Sequence, residues 1–161
     1  MRRSALRPSI SLLPAQRARQ ARALGLDPLD LIVPEKDRAA LGPIEEIRPV
    51  ISALLRGGAG ITIVLLGSRA KGRAGRFSDW DLGVTRPSAP INGKEFLSLR
   101  GIAADLSENL VRHVDVINLD AAPGWFWEGV DYEPIFLNGD KDGYSFLKGM
   151  LHGIKKNRQA A

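Results

Sequence analysis

The sequence predicts an α/β domain built on a small mixed β-sheet flanked by helices. Three observations carry this. First, the β-branched apolar run Ile61-Thr62-Ile63-Val64-Leu65-Leu66 is bounded by glycines and reads as a central strand. Second, Asp79 to Thr85 alternates in character. Trp80, Leu82 and Val84 point to one face and Asp79, Asp81 and Gly83 to the other, so the segment reads as a strand closed by Pro87. Third, Pro43–Leu55 and Asn92–Leu110 carry apolar residues at helical spacing.

Taken in order, Pro14 to Leu24 has the pattern of a short amphipathic helix ending at Gly25, in a first quarter that Pro8, Pro14, Pro28, Pro34 and Pro43 mark as irregular with short helical pieces. The helix over Pro43–Leu55 rests on Ile44, Ile47, Ile51, Leu54 and Leu55. Pro43 suits a first turn, but Pro49 strains the middle, so the helix either kinks there or begins later. Gly57-Gly58 ends it. The helix over Asn92–Leu110 rests on Phe96, Leu99, Ile102, Ala103, Leu106 and Leu110. Val111 to Leu119 reads as a third strand, Pro123 to Val130 as a short helix, Pro134 to Leu137 as an edge strand and Tyr144 to Ile154 as a closing helix. Residues 1–42 form a basic, proline-rich extension, 43–140 the α/β domain, and 141–161 a C-terminal helix with a basic tail.

At 161 residues the chain is long enough for one domain with a real core and short for two. Apolar content of 44% and charged content of 25% suit a folded soluble protein. No apolar stretch approaches the roughly 18 to 20 residues of a membrane span. Arg2-Arg3 is followed by no apolar segment or cleavage site of an export signal. Without cysteine there is no disulfide, thiolate metal site or thiol nucleophile. A cytoplasmic location without membrane association is therefore expected.

The net charge of +5 is unevenly spread. Met1 to Leu26 holds Arg2, Arg3, Arg7, Arg17, Arg19 and Arg22 and no acid; Arg69, Lys71, Arg73 and Arg76 form a second cluster, and Lys148, Lys155, Lys156 and Arg158 a third. Such a field favours nucleotides, nucleic acid or an acidic protein surface, while a solvated, solubilising arm is the plainer reading of the N-terminal segment.

The second cluster lies inside the most informative stretch. Gly67-Ser68-Arg69-Ala70-Lys71-Gly72 follows the first strand directly, and ten residues separate Ser68 from Asp79-Trp80-Asp81. Transfer of a nucleotidyl group needs a triphosphate held by donors and cations. Gly67 permits a sharp turn, and the segment after it can present N–H groups to phosphate oxygens. Ser68 adds a hydroxyl, Lys71 or Arg69 a counter-charge, and Gly72 lets the backbone approach closely. The α-phosphorus must be polarised and the attacking hydroxyl activated, which two divalent ions about 3.5 to 4 Å apart achieve together. Asp79 and Asp81, two apart on a strand, put both carboxylates on one face, and two such groups facing no cation would repel. A third acid is expected. In His113-Val114-Asp115-Val116-Ile117, Asp115 points opposite to its valine neighbours, and an acid within an apolar strand is costly unless paired or coordinated. It is the candidate third ligand and general base. The bland alternative is a polar β-hairpin with a basic loop.

Together, Gly67-Ser68-Arg69-Ala70-Lys71-Gly72, Ser78-Asp79-Trp80-Asp81-Leu82 and Asp115 resemble the nucleotidyltransferase superfamily related to DNA polymerase beta, in its small bacterial branch, the minimal nucleotidyltransferases. The resemblance covers Ile61 to Leu119 firmly and Pro43 to Leu137 loosely. It implies the polymerase beta-like fold, Asp79, Asp81 and Asp115 as metal ligands for two Mg²⁺ ions, and Gly67, Ser68, Arg69 and Lys71 on the triphosphate of ATP or another NTP. Many small members are antitoxins of HEPN-domain ribonuclease toxins and transfer AMP from ATP to a tyrosine of the toxin. Other relatives modify antibiotics or RNA 3′ ends. The resemblance thus implies a toxin partner; the basic arm leaves RNA as an alternative contact and acceptor, and a non-catalytic partner-binding module is the reading from another class. Two features depart from the family pattern. Trp80 stands where a small aliphatic residue is usual between the acids, a change for core packing to absorb, and the N-terminal extension has no counterpart.

Several residues invite assignments of their own. His113 lies close to Asp115 along the chain, but a core or edge histidine is the plainer reading than a ligand. His152 reads as a surface residue. Trp125-Phe126-Trp127 is either core beneath a short helix or a partly exposed patch for a partner. Lys155 to Arg158 reads as a solvated tail.

Overall fold

The computed structural model describes residues 43–75 and 77–160. The helix expected over Pro14–Leu24, the remainder of the extension and Arg76 lie outside the described residues. What is described belongs to a compact unit, Ala40–Ala161.

The chain enters through a 3₁₀ turn, Ile44–Ile47, and continues as helix α1, Arg48–Gly57. The single helix expected from Pro43 is therefore two pieces. Pro49 falls in the first turn of α1, where its missing N–H costs nothing, so there is no kink: the helix begins later. Strand β1, Thr62–Leu66, is buried along its whole length. A four-residue helix, α2, Gly67–Ala70, follows without a linker, and strand β2, Trp80–Thr85, returns antiparallel to β1. Helix α3, Gly93–Ser107, is capped by Asn92, whose side chain accepts from the Glu95 amide at 2.9 Å. It leads into β3, Val114–Asn118, which lies parallel to β2. A short helix α4, Gly124–Glu128, an antiparallel strand β4, Ile135–Gly139, and a long helix α5, Lys141–Ala160, complete the unit.

The sheet order is β3-β2-β1-β4, so β1 and β2 are central and the sheet is mixed. The third strand is shorter than the expected Val111–Leu119, and Val111 is solvent-exposed. β3 is also an edge strand and Asp115 upon it is exposed, so the argument from the cost of burying that acid does not apply. The closing helix runs further than expected at both ends. Of the apolar positions that suggested α3, Leu99 and Ala103 are buried, whereas Leu106 is exposed.

Register divides the sheet into two faces. Ile63 pairs with Val84 and Leu65 with Leu82, placing them with Trp80 on one face; Val64 pairs with Gly83 and Leu66 with Asp81 on the other. α1 packs on α3, which packs on β3. On the second face, Val64 and Leu66 join Leu119, Val130, Leu147 and Leu151 in a core cluster. Phe126, Trp127 and Tyr132 pack partly buried against that cluster, whereas Trp125 is exposed, so the aromatic run is divided between core and surface. Asp81 thus sits on the same face as this core, at the end of the sheet where β1 finishes and β2 begins.

Candidate active site

Leu66 hands directly to Gly67, and the geometry there admits only glycine. Gly67 has φ +71°, and a Cβ at this position would run into the Asp81 carboxylate. The turn therefore lies directly against the second acid of the Asp79-Trp80-Asp81 motif. Ser68 follows, half-buried, with its carbonyl accepting from Arg73 N–H at 2.9 Å. Gly72, at φ +70°, turns the chain into the loop.

Parallel pairing of β2 with β3 sets Asp81 directly opposite Asp115. Neighbouring strands lie about 4.8 Å apart, so the two carboxylates stand side by side on one face although 34 positions separate them in sequence. Asp79 precedes β2 and is exposed; its Oδ1 accepts from the His113 amide at 3.3 Å, while Trp80 N–H donates to the His113 carbonyl at 2.8 Å. His113 contributes its backbone to this junction. Burial first, then the charges of Asp115 and Asp79, hold the Asp81 carboxyl above its ordinary range. Crowded carboxylates repel one another, and no ion pair among the described residues neutralises Asp81 or Asp115. The described residues gather no three acidic or histidine side chains into a self-sufficient metal cage.

The cations of the motif separate into two roles. Arg69 is buried, at 3% exposure, and its guanidinium stacks 4.0 Å from the Trp80 ring. Its Nε and Nη2 donate to the Ser78 carbonyl at 3.2 and 2.8 Å, which ties the start of the basic loop to its end, one residue before Asp79. Burial, followed by the nearby Arg112 charge, lowers its pKa. These bonds commit Arg69 to the loop and the core, where its sequence neighbours offered it to phosphate. Lys71 is exposed, with its ammonium 5.0 Å from the centre of the Tyr132 ring.

Trp80, the departure between the two acids, is fully buried. Its Nε1–H donates to Glu46 Oε1 at 2.6 Å, and Glu46 Oε2 accepts from Arg112 at 2.7 Å. The larger side chain is thus absorbed by a polar anchor from the 3₁₀ turn and by the stacked Arg69.

Two further residues are prominent in space and silent in sequence. Tyr132, just before β4, receives the Gly67 amide on its hydroxyl at 2.9 Å. Burial and then the nearby acids raise the Tyr132 pKa, partly offset by that hydrogen bond. Asp120 collects the Thr85 hydroxyl at 2.6 Å and the amides of Arg86 and Ile91 at 2.9 Å each, fixing the far ends of β2 and β3. No local pattern marks either residue; only the pairing of distant strands brings them to their partners.

A glycine-serine turn packed against two carboxylates in register, on a four-stranded mixed sheet, defines a domain for nucleotide phosphate chemistry. The nucleotidyltransferase-domain family matches residues 44–130, more than half of the chain, and the chain belongs to that family. Its chemistry uses a nucleoside triphosphate and a divalent metal. No curated protein matches the sequence. Among solved structures, a toxin–antitoxin with AMP-PNP is similar at 24% identity and a TM-score of 0.51, covering 69% of this chain and 88% of its own. A mutant of the toxin–antitoxin MntA-HpeT is similar at 22% identity and a TM-score of 0.51, covering 68% and 87%. At these identities the likeness is one of fold. No helix among the described residues is long and apolar enough to cross a membrane.

Proposed function

We propose that this chain transfers AMP from ATP to a tyrosine hydroxyl of a partner toxin, as the antitoxin of a HEPN-type toxin–antitoxin pair. The observation that carries the reading is the Asp81–Asp115 register pair beside the Gly67-Ser68 turn. It juxtaposes a place for phosphate with a place for Mg²⁺. Ser68 and Lys71 hold the triphosphate, with Lys71 as its exposed counter-charge. Arg69 supports the same site by keeping the loop closed on Ser78.

Asp79, Asp81 and Asp115 would hold Mg²⁺, which, when bound, supplies polarisation of the α-phosphate and a lower pKa for the acceptor hydroxyl. Asp115, exposed at the sheet edge, would take the proton of the partner's hydroxyl. The acceptor oxygen then bonds to the α-phosphorus as the bond to the β-phosphate oxygen breaks, and pyrophosphate leaves. The choice of a toxin as acceptor draws on the fold likeness to toxin–antitoxin proteins.

Radiolabel transfer from α-labelled ATP, and then from the other three NTPs, with Mg²⁺ into lysate protein and RNA, beside Asp79→Asn and Asp81→Asn, tests the reading. Label on a protein band, absent in both variants, supports it and yields the acceptor by excision. Label on RNA would replace the acceptor class. A folded wild type with no label from any of the four NTPs would refute catalysis.

A further inference from the structure

We infer that Tyr132 is a positioning residue for the triphosphate, working through both its hydroxyl and its ring. The inference rests on the nucleotidyltransferase reading and adds to it a residue outside every motif of the sequence. Three observations converge on this side chain. Its hydroxyl oxygen accepts the Gly67 amide hydrogen at 2.9 Å, across 65 residues of chain. Its ring lies 5.0 Å beneath the Lys71 ammonium. The same ring packs partly buried against the core cluster of Val64, Leu66, Leu119, Val130, Leu147 and Leu151.

The physical argument begins with the turn. Gly67 stands at φ +71°, a conformation with little intrinsic preference in a residue that has no side chain to anchor it. The hydroxyl of Tyr132 satisfies its N–H and pins the turn to the core. Ser68 then leaves the turn in one direction, and the Asp81 carboxylate keeps its place against the Gly67 α-carbon. The ring adds a second constraint. A lysine side chain is flexible and strongly hydrated, and an exposed Lys71 would otherwise sample many rotamers. A cation held over an aromatic face keeps its charge available while losing part of that freedom before ligand arrives. One rigid side chain therefore sets both ends of Gly67-Ser68-Arg69-Ala70-Lys71. Because the tyrosine oxygen serves here as an acceptor, its own O–H remains free to donate.

The test compares the full-length wild type with Tyr132→Phe and Tyr132→Ala. Affinity for a non-hydrolysable ATP analogue with Mg²⁺ is measured by calorimetry, and transfer from ATP is measured for KM and kcat separately. Hydrogen exchange at the Gly67 amide is followed by NMR. Tyr132→Phe keeps the ring and loses the hydroxyl, so the Gly67 amide should exchange faster and the analogue should bind about five-fold more weakly. Tyr132→Ala also loses the platform for Lys71, and the analogue should bind about twenty-fold more weakly. KM for ATP should rise in parallel, with kcat at saturating ATP within about two-fold of wild type, as expected when binding alone is removed.

A wild type that binds and transfers, with Tyr132→Phe binding as tightly or more tightly, overturns the inference and leaves the proposed activity standing. Faster Gly67 exchange with unchanged affinity would also overturn it, since the bond would then be structural only. A fall in kcat with KM unchanged would overturn it as well. A folded wild type that neither binds the analogue nor transfers label removes the activity and the inference together. Should Tyr132→Ala fail to fold, the Phe variant decides the matter.

Discussion

Replacing Trp80 with phenylalanine tests how the chain accommodates a large residue between two acids. Trp80 is fully buried, and its Nε1–H lies 2.6 Å from a Glu46 carboxylate oxygen. A hydrogen bond to a charged group contributes about 1.5 to 3 kcal/mol. The ring also carries the Arg69 guanidinium at 4.0 Å, and exchanging indole for benzene weakens that contact by about 0.5 kcal/mol. The smaller ring leaves a partial void worth about 1 kcal/mol. The expected loss is therefore about 3 to 4.5 kcal/mol, a large part of the roughly 5 to 15 kcal/mol that holds a domain together. Urea unfolding at neutral pH should show a lower midpoint with an unchanged slope. A double-mutant cycle with Glu46→Ala should return a coupling of about 1.5 kcal/mol or more. A loss below about 1 kcal/mol, or a coupling near zero, would refute the claim that this hydrogen bond anchors the residue between the acids.

Other consequences are as specific. Asp81→Asn should abolish transfer and, in metal-free buffer near neutral pH, raise the thermal midpoint. The folded Asp81 holds its proton more tightly than its ordinary value of 3.8, so stability falls as pH rises from there through the raised value. The Asn variant should lack that slope, and an unchanged or lower midpoint would count against the crowding of carboxylates. Gly67→Ala should eliminate transfer, because alanine is strained at φ +71° and its Cβ would displace the Asp81 carboxylate; wild-type turnover in this variant would contradict the geometry. Asp120→Ala strips acceptors from the Thr85 hydroxyl and from the amides of Arg86 and Ile91. It should cost about 2 to 4 kcal/mol in chemical denaturation, while affinity for the ATP analogue stays at the wild-type level below the unfolding transition.

The sequence by itself determined what depends on near neighbours along the chain. The apolar run before Gly67, the alternation from Asp79 to Thr85 and the helical spacing around Leu99 each follow from backbone period and side-chain type, and they place β1, β2 and α3 within a few residues. A fixed gap from Ser68 to the acids likewise requires only local reading. Helix α1 was half legible: its apolar spacing was visible, but Pro49 fits a first turn only because the preceding residues coil as a separate 3₁₀ turn. The placing of Asp115 had a correct direction and a mistaken reason. Strand alternation gave its face, whereas its exposure follows from β3 lying at the sheet edge.

What only the tertiary structure decided depends on pairing between distant segments. Register sets Asp81 against Asp115, a fold-level choice that a one-residue slip would reverse. Arg69 and Lys71 are both cations of one loop, and sequence cannot separate them. The buried indole of Trp80 and the Ser78 carbonyl draw Arg69 inward, while Lys71 stays exposed with its ammonium over the Tyr132 ring. Glu46 and Tyr132 come from segments far apart in the sequence, each satisfying a polar group that strand pairing alone leaves without a partner. Periodicity and turn chemistry are written along the chain; satisfaction of hydrogen bonds and charges is settled in space, where the partner of a residue can lie 65 positions away.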